Sequence, residues 1–242
     1  MSAVVFFSVV NLFELLAAIV GTVVLIKNKN RVNNLTRFFV WFLWFTVFVE
    51  VFFGWMPTCA REWNSSIFLK DLISWDVEVS YKINFWGFRV YTVFSDLFLM
   101  YYFKKNIKSE EVSKIVKGLM LFYFVFTICC IVFKNSFLEN IYSVPYILGP
   151  IFIFISVMLY FFEILKSNKI LYFHKELPFY IAIGSMIFNL VVTPLFIYKE
   201  YYSSENPDFN TLRMFLLYCS IIFLNSIYIL GFYICFRKNK SY

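Results

Sequence analysis

Residues 4–26 read VVFFSVVNLFELLAAIVGTVVLI, and this run decides the fold. Its one ionisable side chain is Glu14, and apolar residues occupy nearly every side of the helix it would form. A helix rises 1.5 Å per residue and a hydrocarbon core is about 30 Å thick, so about 20 such residues cross a bilayer. Six further runs pass the same test, at 38–58, 83–103, 116–133, 144–165, 177–198 and 212–236. Transmembrane barrel strands would alternate apolar and polar residues over about ten positions, and a soluble bundle would give each helix a charged face. Neither pattern occurs. The expectation is an all-α integral membrane protein with seven transmembrane helices, one domain over residues 1–242, and one long external loop at 59–84.

Composition agrees. Of 242 residues, 61% are hydrophobic, 24% aromatic and 15% charged, and the mean hydropathy is +0.73. Soluble domains hold roughly 45–50% apolar and about 25% charged residues, so a one-domain water-soluble enzyme is excluded. No charged segment precedes the first run, which reads as an uncleaved first span rather than a signal peptide. Five cysteines are too few and too scattered for a disulfide framework, although Cys59 and Cys219 both fall on the expected outer side.

The net charge of +7 expresses topology, not nucleic-acid binding. Segments 27–37, 104–117, 166–176 and 237–242 hold 15 of the 22 Lys and Arg, whereas 59–84, 134–143 and 199–213 hold 6. Basic residues accumulate on the cytoplasmic side, which predicts an outer N-terminus, a cytoplasmic C-terminus and a multi-pass inner-membrane location. The cytoplasmic loops then have about 10 to 14 residues, too few for a kinase or nucleotide-binding module. The external loop carries Trp63, Trp75, the acceptor pattern Asn64-Ser65-Ser66 and an amphipathic stretch, Ile67–Ile73.

Ionisable side chains inside a span are expensive and normally face the bundle interior. At 1.5 Å per residue, Glu14 lies about 15 Å below the outer edge, Glu50 about 12 Å, Arg89 about 9 Å and Asp96 about 20 Å. Asn11, Asn189 and Asn225 fall at similar depths, so five helices send polar groups to one slab. Helical spacing aligns them: Asn11, Glu14, Ala18 and Gly21 on the first span, Thr46, Glu50 and Gly54 on the second, Arg89, Thr92 and Asp96 on the third, and Ser185, Asn189 and Thr193 on the sixth. The fourth span shows no such stripe, and Phe, Ile, Val and two cysteines dominate it, which predicts a peripheral, lipid-facing helix.

Two readings of the layer stay open. In a static network Arg89 pairs with Glu50, Asp96 lies one stripe further in, and the asparagines bridge helices. In a working cavity an unmatched carboxylate binds a ligand, proton or ion. Three carboxylates face one guanidinium, so at least one of Glu14, Glu50 and Asp96 is protonated, holds a cation or meets water.

Absent motifs narrow the chemistry. The sole histidine, His174, lies in a cytoplasmic loop, and a zinc site needs three or four Cys, His or carboxylate ligands. Neither GxSxG nor HExxH occurs, and the last span has no lysine for a retinal Schiff base. The ends of the third and last spans, Tyr101-Tyr102-Phe103-Lys104 and Asn225-Ser226-Ile227-Tyr228, match neither DRY nor NPxxY of the main G-protein-coupled receptors. No catalytic residue, metal or cofactor is expected.

Three segments carry a resemblance: Glu50-Val51-Phe52-Phe53-Gly54, Leu177-Pro178-Phe179-Tyr180-Ile181-Ala182-Ile183-Gly184, and Asn225-Ser226-Ile227-Tyr228 followed by Phe236-Arg237-Lys238. With the overall layout they resemble the small seven-helix inner-membrane proteins of Bacteroidetes, which generally have no assigned activity. The resemblance implies a fold and a compartment and adds no chemistry. The function expected is a receptor-like or accessory sensor module that signals to a separate cytoplasmic or membrane partner, or as a homo-oligomer. The alternative is an ion channel or ion-coupled transporter, including an oligomeric pore-forming effector, and an intramembrane enzyme is a third class.

Overall fold

The computed structural model describes residues 3–30, 32–55, 77–133, 144–167, 172–197 and 207–237. Seven long helices appear among them, and no strand. They are α1 (Ala3–Lys27), α2 (Asn34–Val49), α3 (Val77–Asn106), α4 (Glu110–Phe133), α5 (Pro145–Lys166), α6 (Leu177–Ile197) and α7 (Pro207–Phe236). A π-helical turn, Glu50–Trp55, continues α2, and a short 3₁₀ turn, Phe173–Lys175, precedes α6.

Helix ends follow local chemistry. Asn33 caps α2 by accepting a hydrogen bond from the Leu35 N–H, which satisfies one of the donors a helix start leaves open. Pro145 stands at the first position of α5, where its missing N–H costs nothing. Lys27 closes α1 and Lys166 closes α5, each at the negative end of its helix dipole.

Six of the seven helices are long and apolar enough to cross a membrane. The exception is α3, whose described side chains include Arg89, Asp96, Lys104 and Lys105. The expected external loop also shortens, because residues 77–84 are helical and belong to α3. An apolar-run test stops where polar residues begin, but backbone hydrogen bonding carries the helix on through them. The same effect starts α4 and α7 before residues 116 and 212. Cys59, Trp63, Trp75, the Asn64 acceptor pattern and Ile67–Ile73 lie outside the described residues.

Neighbouring helices close a ring in the order α1, α2, α3, α5, α6, α7 and back to α1, with α4 against α3 and α5 from outside. That peripheral place for α4 is the expected one. Its outward residues Leu121, Phe122, Val125 and Val132 are exposed. Small residues set the closest approaches. A Cβ on Gly21 would lie 2.9 Å from Val40, and one on Gly231 would lie 2.7 Å from Tyr180.

The bundle interior divides along its axis. Toward the basic end it is aromatic: Phe39 packs on Tyr102 and Tyr228 at ring-centroid distances of 5.5 and 5.1 Å, and Phe42 stacks on Phe98 at 4.0 Å. Toward the other end the buried side chains become polar, with Glu14, Arg89, Asp96, Ser185, Asn189, Ser220 and Asn225 all inside.

Candidate functional site: two carboxylate clusters in the bundle

Two indole hydrogen bonds fix the register of α1 against α2. Trp44 Nε1 donates to Thr22 Oγ1 at 2.9 Å, and Trp55 Nε1 donates to Ser8 Oγ at 3.2 Å. Glu14 lies between Ser8 and Thr22 on one helix, and Glu50 lies between Trp44 and Trp55 on the antiparallel other. The register therefore sets the two carboxylates opposite each other, and Glu50 is the charged neighbour acting on Glu14. Glu50 also opens the π-helical turn, a wider coil that is frequent at functional sites. Phe53 of that turn fills the notch at Gly87 of α3, where a Cβ would come within 2.7 Å of its ring.

Two tyrosines lie beside this pair. Tyr91 of α3 lies within electrostatic reach of both acids and donates its hydroxyl to Thr46 Oγ1 at 3.1 Å. Tyr218 of α7 lies within reach of Glu50. The Oε2 atom of Glu14 and both amide atoms of Asn11, one turn away, are buried without a hydrogen-bond partner. Such atoms call for a proton, an ion or a water to complete them.

The second cluster centres on Asp96. Tyr123 of α4 donates its hydroxyl to Asp96 Oδ2 at 2.9 Å, inside the bundle. Gly149 of α5 leaves the space this contact needs, because a Cβ there would lie 2.0 Å from Asp96 Oδ2 and 2.8 Å from Tyr123 Oη. Arg89 is 3% exposed and lies within electrostatic reach of the Tyr146 hydroxyl, as does Asp96.

Of the seven residues singled out in the sequence, Glu14, Arg89, Asp96, Asn189 and Asn225 are buried and Asn11 and Glu50 are half-buried, but their pairing differs from expectation. The ion pair found among the described residues is Lys114–Glu110 on the exposed face of α4; Arg89 does not bridge to Glu50. Helix geometry explains this. Arg89 and Asp96 stand seven residues apart and share the face toward α5, whereas Tyr91, about 200° around from Arg89, faces Glu50. The asparagines do not bridge helices either. Asn189 Nδ2 donates to the Ser185 carbonyl at 2.8 Å and Asn225 Nδ2 to the Ile221 carbonyl at 3.0 Å, each within its own helix. α4 does contribute a polar stripe, Tyr123 and Thr127, at i and i+4.

Among the described residues no group of three His, Cys, Asp or Glu is placed to hold a metal. The fold and these acids define a helical membrane protein with Glu14 and Asp96 buried in its bundle and Glu50 half-buried beside Glu14. No protein-family model, curated protein or solved structure matches the chain.

Proposed function

We propose that this chain is a receptor-like or accessory sensor module of a bacterial inner membrane, and that its sensing element is the Glu14–Glu50 pair. Uptake of a proton or small cation between the two acids draws α1 and the π-helical turn of α2 together. The ring then passes that change to a separate cytoplasmic or membrane partner. The reading includes seven crossings, with α3 as the seventh, an outer N-terminus and a cytoplasmic C-terminus. Its support is the 30-residue length of α3, its place in the ring between α2 and α5, and the distribution of basic residues.

The observation that carries the reading is the facing of a buried carboxylate, Glu14, and a half-buried one, Glu50, with no ion pair to either among the described residues. Two like charges in low dielectric repel strongly, so a shared proton or cation stabilises the arrangement. Glu14→Gln tests it, because the amide fills the same space and cannot ionise. The expected outcome is unchanged yield and melting temperature. Cation- or proton-dependent change in backbone hydrogen exchange at the start of α6 should be lost. A variant that keeps the full response contradicts the reading and leaves Glu14 as helix glue.

An ion-coupled transporter is the second reading, and one feature favours it. Tyr91, Tyr228 and Tyr102 form a polar series of electrostatic neighbours from the carboxylate pair toward the basic end. Cation-dependent flux in vesicles containing only this protein would select the transporter, and a response without flux would select the sensor.

A further inference from the structure

Hydroxyl groups beside Glu14 and Glu50 are committed elsewhere as donors. Thr46, one turn before Glu50, donates its hydroxyl to the Phe42 carbonyl at 3.1 Å, and a carbonyl can only accept. Tyr91 therefore donates its O–H to Thr46, at 3.1 Å, and has only lone pairs left for the two acids. The Trp44 and Trp55 indole N–H groups are likewise committed, to Thr22 and Ser8 of α1. Tyr218 of α7 neighbours Glu50.

An independent feature lies on α1. Glu14 Oε2, Asn11 Oδ1 and Asn11 Nδ2 are buried and make no hydrogen bond to any described residue. Glu14 is 5% exposed, and Asn11 precedes it by three residues, so the two share one helix face. The amide is a donor as well as an acceptor, yet it is not closed onto the carboxylate one turn away.

A proton serves these atoms poorly. It supplies one donor, and it joins only oxygens about 2.5–3.0 Å apart. A cation held at about 2.3–2.6 Å from each oxygen, as Ca²⁺ is, joins oxygens up to about 5 Å apart. The atoms on offer are carboxylate and amide oxygens, which suit hard cations rather than those that prefer thiolate or imidazole. The remaining donor, Asn11 Nδ2, has its acceptor in a water carried by the ion.

Charge sets the valence. Two adjacent carboxylates in low dielectric repel strongly, so the pair keeps one proton and one net negative charge. A single positive charge balances that, whereas a divalent ion would have to displace the proton.

We infer that Asn11, Glu14 and Glu50 form a binding site for a partly hydrated alkali-metal cation, with Asn11 Oδ1 as its neutral ligand. The inference rests on the facing of the two acids used in the sensor reading, and it narrows their ligand to a metal ion.

The test uses the full chain, purified in neutral detergent, with the melting temperature followed against the chlorides of sodium, potassium, magnesium and calcium. Choline chloride holds the ionic strength constant. The expected result is a saturable rise of several degrees with sodium or potassium, the tighter of the two naming the ion, and no matching rise with magnesium or calcium. Asn11→Leu, which replaces the amide with an apolar group of similar shape, should shift the midpoint at least tenfold. Glu110→Gln, at the exposed ion pair on α4, should leave it unchanged. Should Asn11→Leu fold poorly, Asn11→Asp keeps an oxygen, adds a charge, and should move the preference to calcium or magnesium. No rise beyond choline, a rise with divalent ions alone, an unmoved midpoint in Asn11→Leu or an unmoved preference in Asn11→Asp overturns the inference. Hydrogen exchange at the start of α6 separates the two claims. A proton response there that Glu14→Gln abolishes, without any alkali-ion effect on melting, overturns the metal site and keeps the sensing pair. Alkali-ion stabilisation without any exchange response supports the site and contradicts the sensor.

Discussion

A methyl group on Gly149 would sit 2.0 Å from Asp96 Oδ2, well inside contact distance. Two effects oppose each other in Gly149→Ala. Helix propensity favours alanine by roughly 0.5–1 kcal/mol, and forcing an extra carbon into a packed interior costs about 1–3 kcal/mol. The atom displaced here is a buried carboxylate oxygen already bonded to Tyr123, so overpacking wins. Gly149→Ala should lower stability by about 1–2 kcal/mol in a detergent melt, and Asp96→Ser in the same chain should recover part of that loss. Equal melting temperatures for Gly149→Ala and the native chain would show that the notch is not needed. Depth and helical stripe placed Glu14, Asp96 and Arg89 inside correctly, because burying an ionisable group is costly wherever it falls. The partners were harder to read. Gly149 looks in sequence like any small residue in an apolar run, and its role depends on a carboxylate from a helix some fifty residues away. Tyr123 was legible in principle, since Tyr123 and Thr127 fall one turn apart, but they sit among aromatic residues on a helix otherwise turned outward. Tyr91 shows the same limit, because only the angle between residues 89 and 91 tells that they serve different clusters.

Among elements, α4 takes its cap from another helix. Glu163 of α5 accepts hydrogen bonds from the Lys108 and Ser109 N–H groups at the start of α4, with Ser109 N at 3.3 Å from each carboxylate oxygen. A carboxylate from another helix thus caps α4 and sits at the positive end of its dipole. Glu163→Ala should cost about 1 kcal/mol, within the range for lost caps, and should speed hydrogen exchange over residues 110–114 while leaving α1 and α2 unchanged. Unaltered exchange there would show that packing alone holds α4. All seven helices were readable from apolar length, and six of them are long and apolar enough to cross a membrane. The starts of α3, α4 and α7 were not readable, because hydropathy reports where a helix is apolar and not where its hydrogen bonding begins. The π-helical turn at Glu50 was invisible too; nothing in Glu50-Val51-Phe52-Phe53-Gly54 departs from α-helical composition.

For the whole molecule, the ring of six helices with α4 outside follows from which helices carry inward-facing polar or small residues, and that was partly legible. Orientation rests on charge. A reporter fused after Tyr242 should be active in the cytoplasm and inactive beyond the membrane, with the reverse pattern for a fusion before Met1. A C-terminal reporter active only on the outer side would reverse the assignment. The interior divides into an aromatic half and a polar half: the acids meet on one side of the Phe39 layer, and a cavity of about 360 Å³ among the helix ends opens on the other.

Everything proposed for sensing depends on Glu14 and Glu50 facing each other across α1 and α2. The direct test places Glu14→Cys and Glu50→Cys together in a chain whose native cysteines are serine, oxidises it in membranes, and identifies linked peptides by mass spectrometry. A disulfide needs Cα atoms within about 7 Å, so the reagent reads the register itself. The account predicts efficient linkage between positions 14 and 50 and little between 14 and 96 in the matching Asp96→Cys control. Linkage of position 14 to 96 in preference to 50, or to neither, would contradict it.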